Sequence, residues 1–116
     1  NTLAVLSVGT MANNVSKAIT NLNVSHYDMR FVKPLDDNLL YDIFKTHDTI
    51  ITVEDNSIKG GFGSAILEFA AENNFKTNIK TLGIPDAFIE HGKVIELQKT
   101  IGLDIESLSS CITSFL

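Results

Sequence analysis

Short apolar runs alternate with amphipathic stretches along the whole chain, and this alternation limits the fold more than any single residue does. Leu3 to Val8 is almost continuously apolar and ends at Gly9-Thr10, the length and flanks of a strand buried on both faces. Met11, Val15, Ala18, Ile19 and Leu22 then recur at three- and four-residue spacing, one stripe of a helix for which Thr10 is a candidate N-cap. Val24 to Val32 reads as a second strand, stopped by Pro34, which has no ladder donor and disfavours helix at Lys33. Asp36 or Asp37 is placed to cap a helix that buries Leu39, Leu40, Ile43 and Phe44.

The pattern continues to the end of the chain. Ile50 to Val53 predicts a third strand, with a loop from Glu54 to Gly61. Phe62, Ala65, Ile66, Phe69 and Ala70 form the cleanest helical stripe, and Thr77 to Leu82 predicts a fourth strand. Gly83 to Gly92 reads as irregular around Pro85; Val94, Leu97 and Ile101 suggest a short helix closed by Gly102. Asp104 should cap a last helix with Ile105, Leu108, Ile112 and Phe115 inward. Strands separated by helices of this length require crossover connections. The expected fold is therefore a three-layer α/β sandwich around a mainly parallel sheet.

Composition excludes several function classes. At 116 residues the chain holds one ordinary domain, 1–116, and its 44% hydrophobic content suits a packed core. Nine basic residues stand against fourteen acidic ones, and Arg30 is the only arginine, which is a poor match to a nucleic-acid face. No apolar run reaches the ~18 residues of a spanning helix. The single cysteine, Cys111, allows neither an internal disulfide nor a multi-cysteine zinc site, and the composition predicts a soluble, cytoplasmic protein. The start, Asn1-Thr-Leu3, enters an apolar run without Met and predicts a domain cut from a longer chain.

Few residues offer chemistry. Gly60-Gly-Phe-Gly-Ser64 lies between a strand and a helix, where free amides and the helix end attract anions. It matches neither the dinucleotide fingerprint nor a P-loop, and Glu54 and Asp55 upstream would repel a phosphate. The favoured alternative is structural: close backbone approach, with Glu54 accepting from the loop amides. His26, His47 and His91 form no ligand pair by spacing; His26 suits a hydrogen-bonded core or edge position, and His47 a helix end. His91 could act as a base with Asp86 or Glu90, though ordering of its loop is the preferred role. Cys111 reads as small core filler, and Arg30 as a partner for Asp28, Asp55 or a carboxylate of another chain. No nucleophile elbow occurs, and no catalytic constellation emerges.

Five strings in order carry a resemblance over essentially the whole chain: Leu6-Ser-Val-Gly-Thr10, Arg30-Phe-Val-Lys-Pro-Leu-Asp36, Val53-Glu-Asp-Asn56, Gly60-Gly-Phe-Gly-Ser64 and Leu82-Gly-Ile-Pro-Asp-Ala-Phe-Ile-Glu-His-Gly92. Together they resemble the C-terminal domain of the 1-deoxy-D-xylulose-5-phosphate synthase family, transketolase-like enzymes that depend on thiamine diphosphate. Asp55 departs mildly from that family's Val-Glu-Glu pattern. The resemblance implies a transketolase C-terminal-like fold with a roughly five-stranded sheet, as the third domain of a three-domain chain. It implies an enzyme that condenses pyruvate with glyceraldehyde 3-phosphate, releasing carbon dioxide, at the start of non-mevalonate isoprenoid synthesis and upstream of thiamine synthesis. Thiamine diphosphate and magnesium belong to the first two domains, through a Gly-Asp-Gly motif that this sequence lacks. Hence no catalytic, cofactor-binding or metal residue is carried over. The implied partners are the other two domains and a second copy of the enzyme. Phe31, Leu35, Phe88 and Ile89 are the candidate interface residues. Two other readings stay open: a small anion-binding enzyme built on Gly60 to Ser64 with His91, and an interaction domain of a 2-oxo acid dehydrogenase β-subunit.

Overall fold

Four parallel strands carry the described part of the molecule. The computed structural model describes residues 2–9, 11–29, 37–57, 61–84 and 104–116. Within them run β1 (Leu3–Ser7), α1 (Met11–Ala18), β2 (Ser25–Asp28), α2 (Asp37–Thr46), β3 (Thr49–Ser57), α3 (Phe62–Glu72), β4 (Asn78–Ile84) and α4 (Ile105–Ser114). The sheet order is β2-β1-β3-β4, and every pairing is parallel.

Alternation along the central strands builds two cores. Ala4, Leu6 and Ile50 point to one face, where α2 brings Leu40, Ile43 and Phe44 and α3 brings Phe62, Ile66, Phe69 and Ala70. Leu3, Val5, Ile51 and Val53 point to the other, against Met11, Val15 and Ala18 of α1 and Leu108 and Ile112 of α4. All five residues of β1 are buried, as a strand covered on both faces must be. The three-layer α/β sandwich read from the sequence is the observed fold.

The bounds differ in instructive ways. The sheet has four strands among the described residues rather than roughly five; the stretch between Ile84 and Asp104 lies outside them. Of the expected Val24 to Val32, β2 takes Ser25–Asp28 and Met29 still donates its amide to the Ser7 carbonyl at 2.8 Å, while Arg30 to Val32 lie outside the described residues. β3 does not stop at Val53 but runs to Ser57, because pairing with β4 resumes at Ser57–Ile84 after a register shift. Glu54, Asp55 and Asn56 are poor strand formers, so propensity placed a loop where ladder pairing keeps the strand going. The expected Thr10 cap, the Pro34 stop and the short helix at Val94 to Ile101 lie outside the described residues.

Two helix ends obey local rules. Asp104 caps α4 through Oδ2, which accepts from the Ser107 amide at 3.4 Å. At the other end of α3, Asn74 adopts φ 59°, Phe75 N–H donates to Ala70 O at 2.9 Å and Asn74 N–H to Ala71 O at 3.3 Å. That pair of bonds is a Schellman motif, and it turns Phe75 onto Phe44 at a ring separation of 4.9 Å. Replacing Asn74 with alanine should cost about 1 kcal/mol, because alanine tolerates the left-handed region poorly, whereas glycine should be nearly neutral. Denaturant midpoints of the two variants check this; equal values would remove the backbone argument.

Candidate functional site

In an open parallel sheet, ligands settle beyond the carboxyl ends of the strands where successive connections diverge. With the order β2-β1-β3-β4 that point lies between β1 and β3. β1 ends there in Ser7 and Val8, whose amide donates to the Val53 carbonyl at 3.1 Å. Gly9 follows at φ 72°, a value that side-chain-bearing residues rarely adopt, and the chain turns away into α1. β3 brings Glu54 to the same level, and the glycine-rich turn leads into α3 beside it.

Glu54 is fully buried, and its carboxylate faces the start of α3. Phe62 N–H donates to Oε1 at 2.9 Å and Gly63 N–H to Oε2 at 2.6 Å. Gly61, the residue at the N-cap position, makes no side-chain cap bond. The capping oxygens therefore come from the neighbouring strand instead of the preceding residue, and a negative group sits where the helix end is positive. The sequence offered this turn to an external anion or to Glu54; the structure gives its Phe62 and Gly63 amides to Glu54.

The first turn of α3 lies close on the sheet. A Cβ built on Gly63 would stand 2.9 Å from Thr81 Cγ2, 3.0 Å from Thr52 Oγ1 and 3.1 Å from Thr81 Cβ. Thr52 is fully buried, and its hydroxyl has no hydrogen-bond partner among the described residues. The sequence reading missed both threonines. Their signal was the period-two alternation of β3 and β4, which puts Thr52 beside Thr81 in register and on the Leu6 side of the sheet.

Of the two described histidines, His26 sits on the edge strand and His47 in the connection from α2 to β3, neither at the divergence point. His26 Nε2 is 2.7 Å from Ser7 Oγ, and burial holds its pKa below the usual 6.5 while the Asp28 charge pulls it back up. His47 follows α2, with Nδ1 2.9 Å from the Ile43 carbonyl and Nε2 3.1 Å from Ser25 Oγ. Ser7 and His26 have the spacing of a nucleophile and its base, but Ser7 is fully buried and its Oγ cannot meet a substrate. Cys111 is free and half-buried on α4, not a core residue. At the opposite end of the sheet, Thr2, Asn23, Ser25 and His47 help to line a polar recess of about 150 Å3. Arg30, Phe31, Leu35, Gly60, Asp86, Phe88, Ile89, Glu90 and His91 lie outside the described residues. Among the described residues no three His, Cys, Asp or Glu side chains are grouped to hold a metal ion, and no helix is long and apolar enough to cross a membrane.

Three comparisons bear on these features. The family described as transketolase, C-terminal domain, matches residues 1–108. The chain is 49% identical over 112 residues to a 1-deoxy-D-xylulose-5-phosphate synthase of Parabacteroides distasonis, covering 92% of this chain and 18% of that protein. It is 43% identical over 115 residues to the synthase of the same name from Azobacteroides pseudotrichonymphae, covering 95% of this chain and again 18% of the relative. The chain thus spans under a fifth of the length of these relatives. Among solved structures, a chain titled "Split gene transketolase, inactive beta4 tetramer" superposes with a TM-score of 0.86 at 24% identity, covering 97% of this chain and 38% of that one. That likeness concerns the fold.

Proposed function

The chain belongs to the transketolase C-terminal domain family, and from that premise we propose that it is the C-terminal domain of a 1-deoxy-D-xylulose-5-phosphate synthase, a structural and dimer-interface module with no chemistry of its own. One observation carries the reading: relatives of that name align over nearly all of this chain at 43 to 49% identity, yet over only 18% of their own length. In this reading the whole enzyme condenses pyruvate with glyceraldehyde 3-phosphate and releases carbon dioxide, serving isoprenoid and thiamine synthesis in the cytoplasm. Thiamine diphosphate with magnesium supplies the carbanion chemistry from the two preceding domains. Those domains and a second copy of the enzyme are the partners.

The described residues of this chain do not fit the cofactor. A diphosphate needs free donors or a cation, but at the glycine-rich turn the Phe62 and Gly63 amides are bonded to Glu54, a group of its own sign. Among the described residues no three His, Cys, Asp or Glu side chains are grouped to hold a metal ion on their own. No step of the reaction is routed through the described residues. The same occupied helix end weighs against the small anion-binding enzyme.

The test separates the module from an independent enzyme. Titration calorimetry of the purified chain with thiamine diphosphate and magnesium should give no binding heat, and a pyruvate assay no turnover. Joining the chain to the two preceding domains should restore turnover. Micromolar cofactor binding by the chain alone, or turnover without the other domains, would overturn the proposal.

A further inference from the structure

Both described histidines converge on the shortest described strand of the sheet. β2 has four residues and lies at the sheet edge among the described residues, where β1 is its strand neighbour. Two serine–histidine bonds tie it on either side: His26 of β2 to Ser7 of β1 at 2.7 Å, and Ser25 of β2 to His47 beyond α2 at 3.1 Å. Tyr27 adds an edge-on ring contact to His47 at 6.1 Å. We propose that these two bonds form an acid-sensitive clasp, with His26 as its sensor, that lets β2 loosen from β1 before the rest of the sheet.

The asymmetry between the two bonds follows from their surroundings. The Ile43 carbonyl can only accept, so His47 Nδ1 carries a proton and Nε2 of the neutral ring accepts from Ser25. Protonation reverses that bond, and the half-buried Ser25 hydroxyl can turn its hydrogen to water. His47 also follows a helix C-terminus, where a cation is welcome. Ser7 has no such outlet. It is fully buried with His26 as its partner, so its hydroxyl is satisfied by donating to Nε2 of the neutral ring, and when a charged His26 becomes a donor there the serine hydrogen loses that acceptor.

Among the described residues the charges that face His26 are few. β1 has no ionisable side chain, α1 has only the exposed Lys17, and β2 itself carries the exposed Asp28, which favours the cation. On the opposite face of β2, Tyr27 meets His47. Burial dominates at His26 and keeps the folded ring neutral further into acid than the usual 6.5. Between its lowered folded value and 6.5 the opened strand binds more protons than the closed one. The clasp is therefore intact above 6.5 and weakens as pH falls through that window.

Hydrogen exchange on the chain at pH about 7.5 and about 5.5 tests the clasp. Protection of the Ser25–Asp28 amides should fall at least about threefold more than that of Thr49–Val53, because the lowered folded value of His26 makes the opened strand the better proton acceptor. His26→Gln should abolish the selective loss, and His47→Gln should keep it. Equal loss in β2 and β3, or a selective loss that survives in His26→Gln, would overturn the proposal. Should His26→Gln fail to fold, the imidazole titration followed by NMR decides: a His26 midpoint below 6.5 supports the clasp, and one at or above it refutes it.

Discussion

Replacing Glu54 with alanine is expected to destabilise the fold by about 3 kcal/mol and to lower its unfolding midpoint by roughly 10 °C. The side chain is fully buried and makes two bonds to backbone amides at 2.9 and 2.6 Å. Hydrogen bonds to a charged group contribute about 1.5–3 kcal/mol each, and the alanine variant leaves both donors unpaired beside a new cavity. Two further variants separate these contributions. Methionine fills the volume without accepting, so Glu54→Met isolates the lost cap. Glutamine retains one acceptor but turns an NH2 group toward the second amide, so Glu54→Gln should fall between wild type and alanine. Thermal unfolding of the three measures the order. A midpoint for Glu54→Ala within error of wild type would mean that Glu54 does not hold α3 on the sheet.

The second large effect is expected at Gly63. Its φ is not left-handed, so the demand there is for space and not for a special backbone conformation. An alanine Cβ would enter at 2.9 Å from Thr81 Cγ2 and 3.1 Å from Thr81 Cβ, and the second of these is anchored to the strand backbone. Overpacking of this kind costs about 1–3 kcal/mol, and Gly63→Ala should lie near 2. Thr81→Ser removes the nearest methyl, so the double variant should regain about 1 kcal/mol of that loss, a coupling that denaturant unfolding of the four-member cycle reads directly. Strict additivity would show that α3 shifts as a body and that Thr81 is not what it meets. Since Phe62 and Gly63 also donate to Glu54, a shift of α3 would disturb the cap as well.

The fold was legible because its central strands bury both faces. Leu3 to Val8 could hardly be anything else, and the helical stripes named buried residues such as Met11 and Val15 or Leu108 and Ile112, although Ile105, expected inward, is exposed in the first turn of α4. Glu54 as the acceptor of the turn amides was legible too: a carboxylate at the end of a strand before a glycine-rich helix start is placed to take those amides. The rest failed for identifiable reasons. β3 continues past Val53 because its partner strand offers a ladder, and no local propensity reports a distant partner. Thr52 and Thr81 were invisible because their importance lies in what they are too close to. Spacing alone separated Ser7 from His26, since nineteen residues of sequence hide a 2.7 Å contact that parallel pairing creates.

The two-sided burial of β1 and β3 also governs which length changes the chain can survive. One residue inserted into β1 would send Ala4 and Leu6 to the α1–α4 side and Leu3 and Val5 to the α2–α3 side, exchanging side chains of different volume between two filled compartments at once. β3 shares both compartments and would have to slip with it. Homologous chains should therefore keep the spacing within these strands fixed and accommodate insertions and deletions in connections such as that around Thr20 and Asn21, which are exposed and commit no strand face. The central pair of strands acts as a ruler for the domain, and its divisions are single residues.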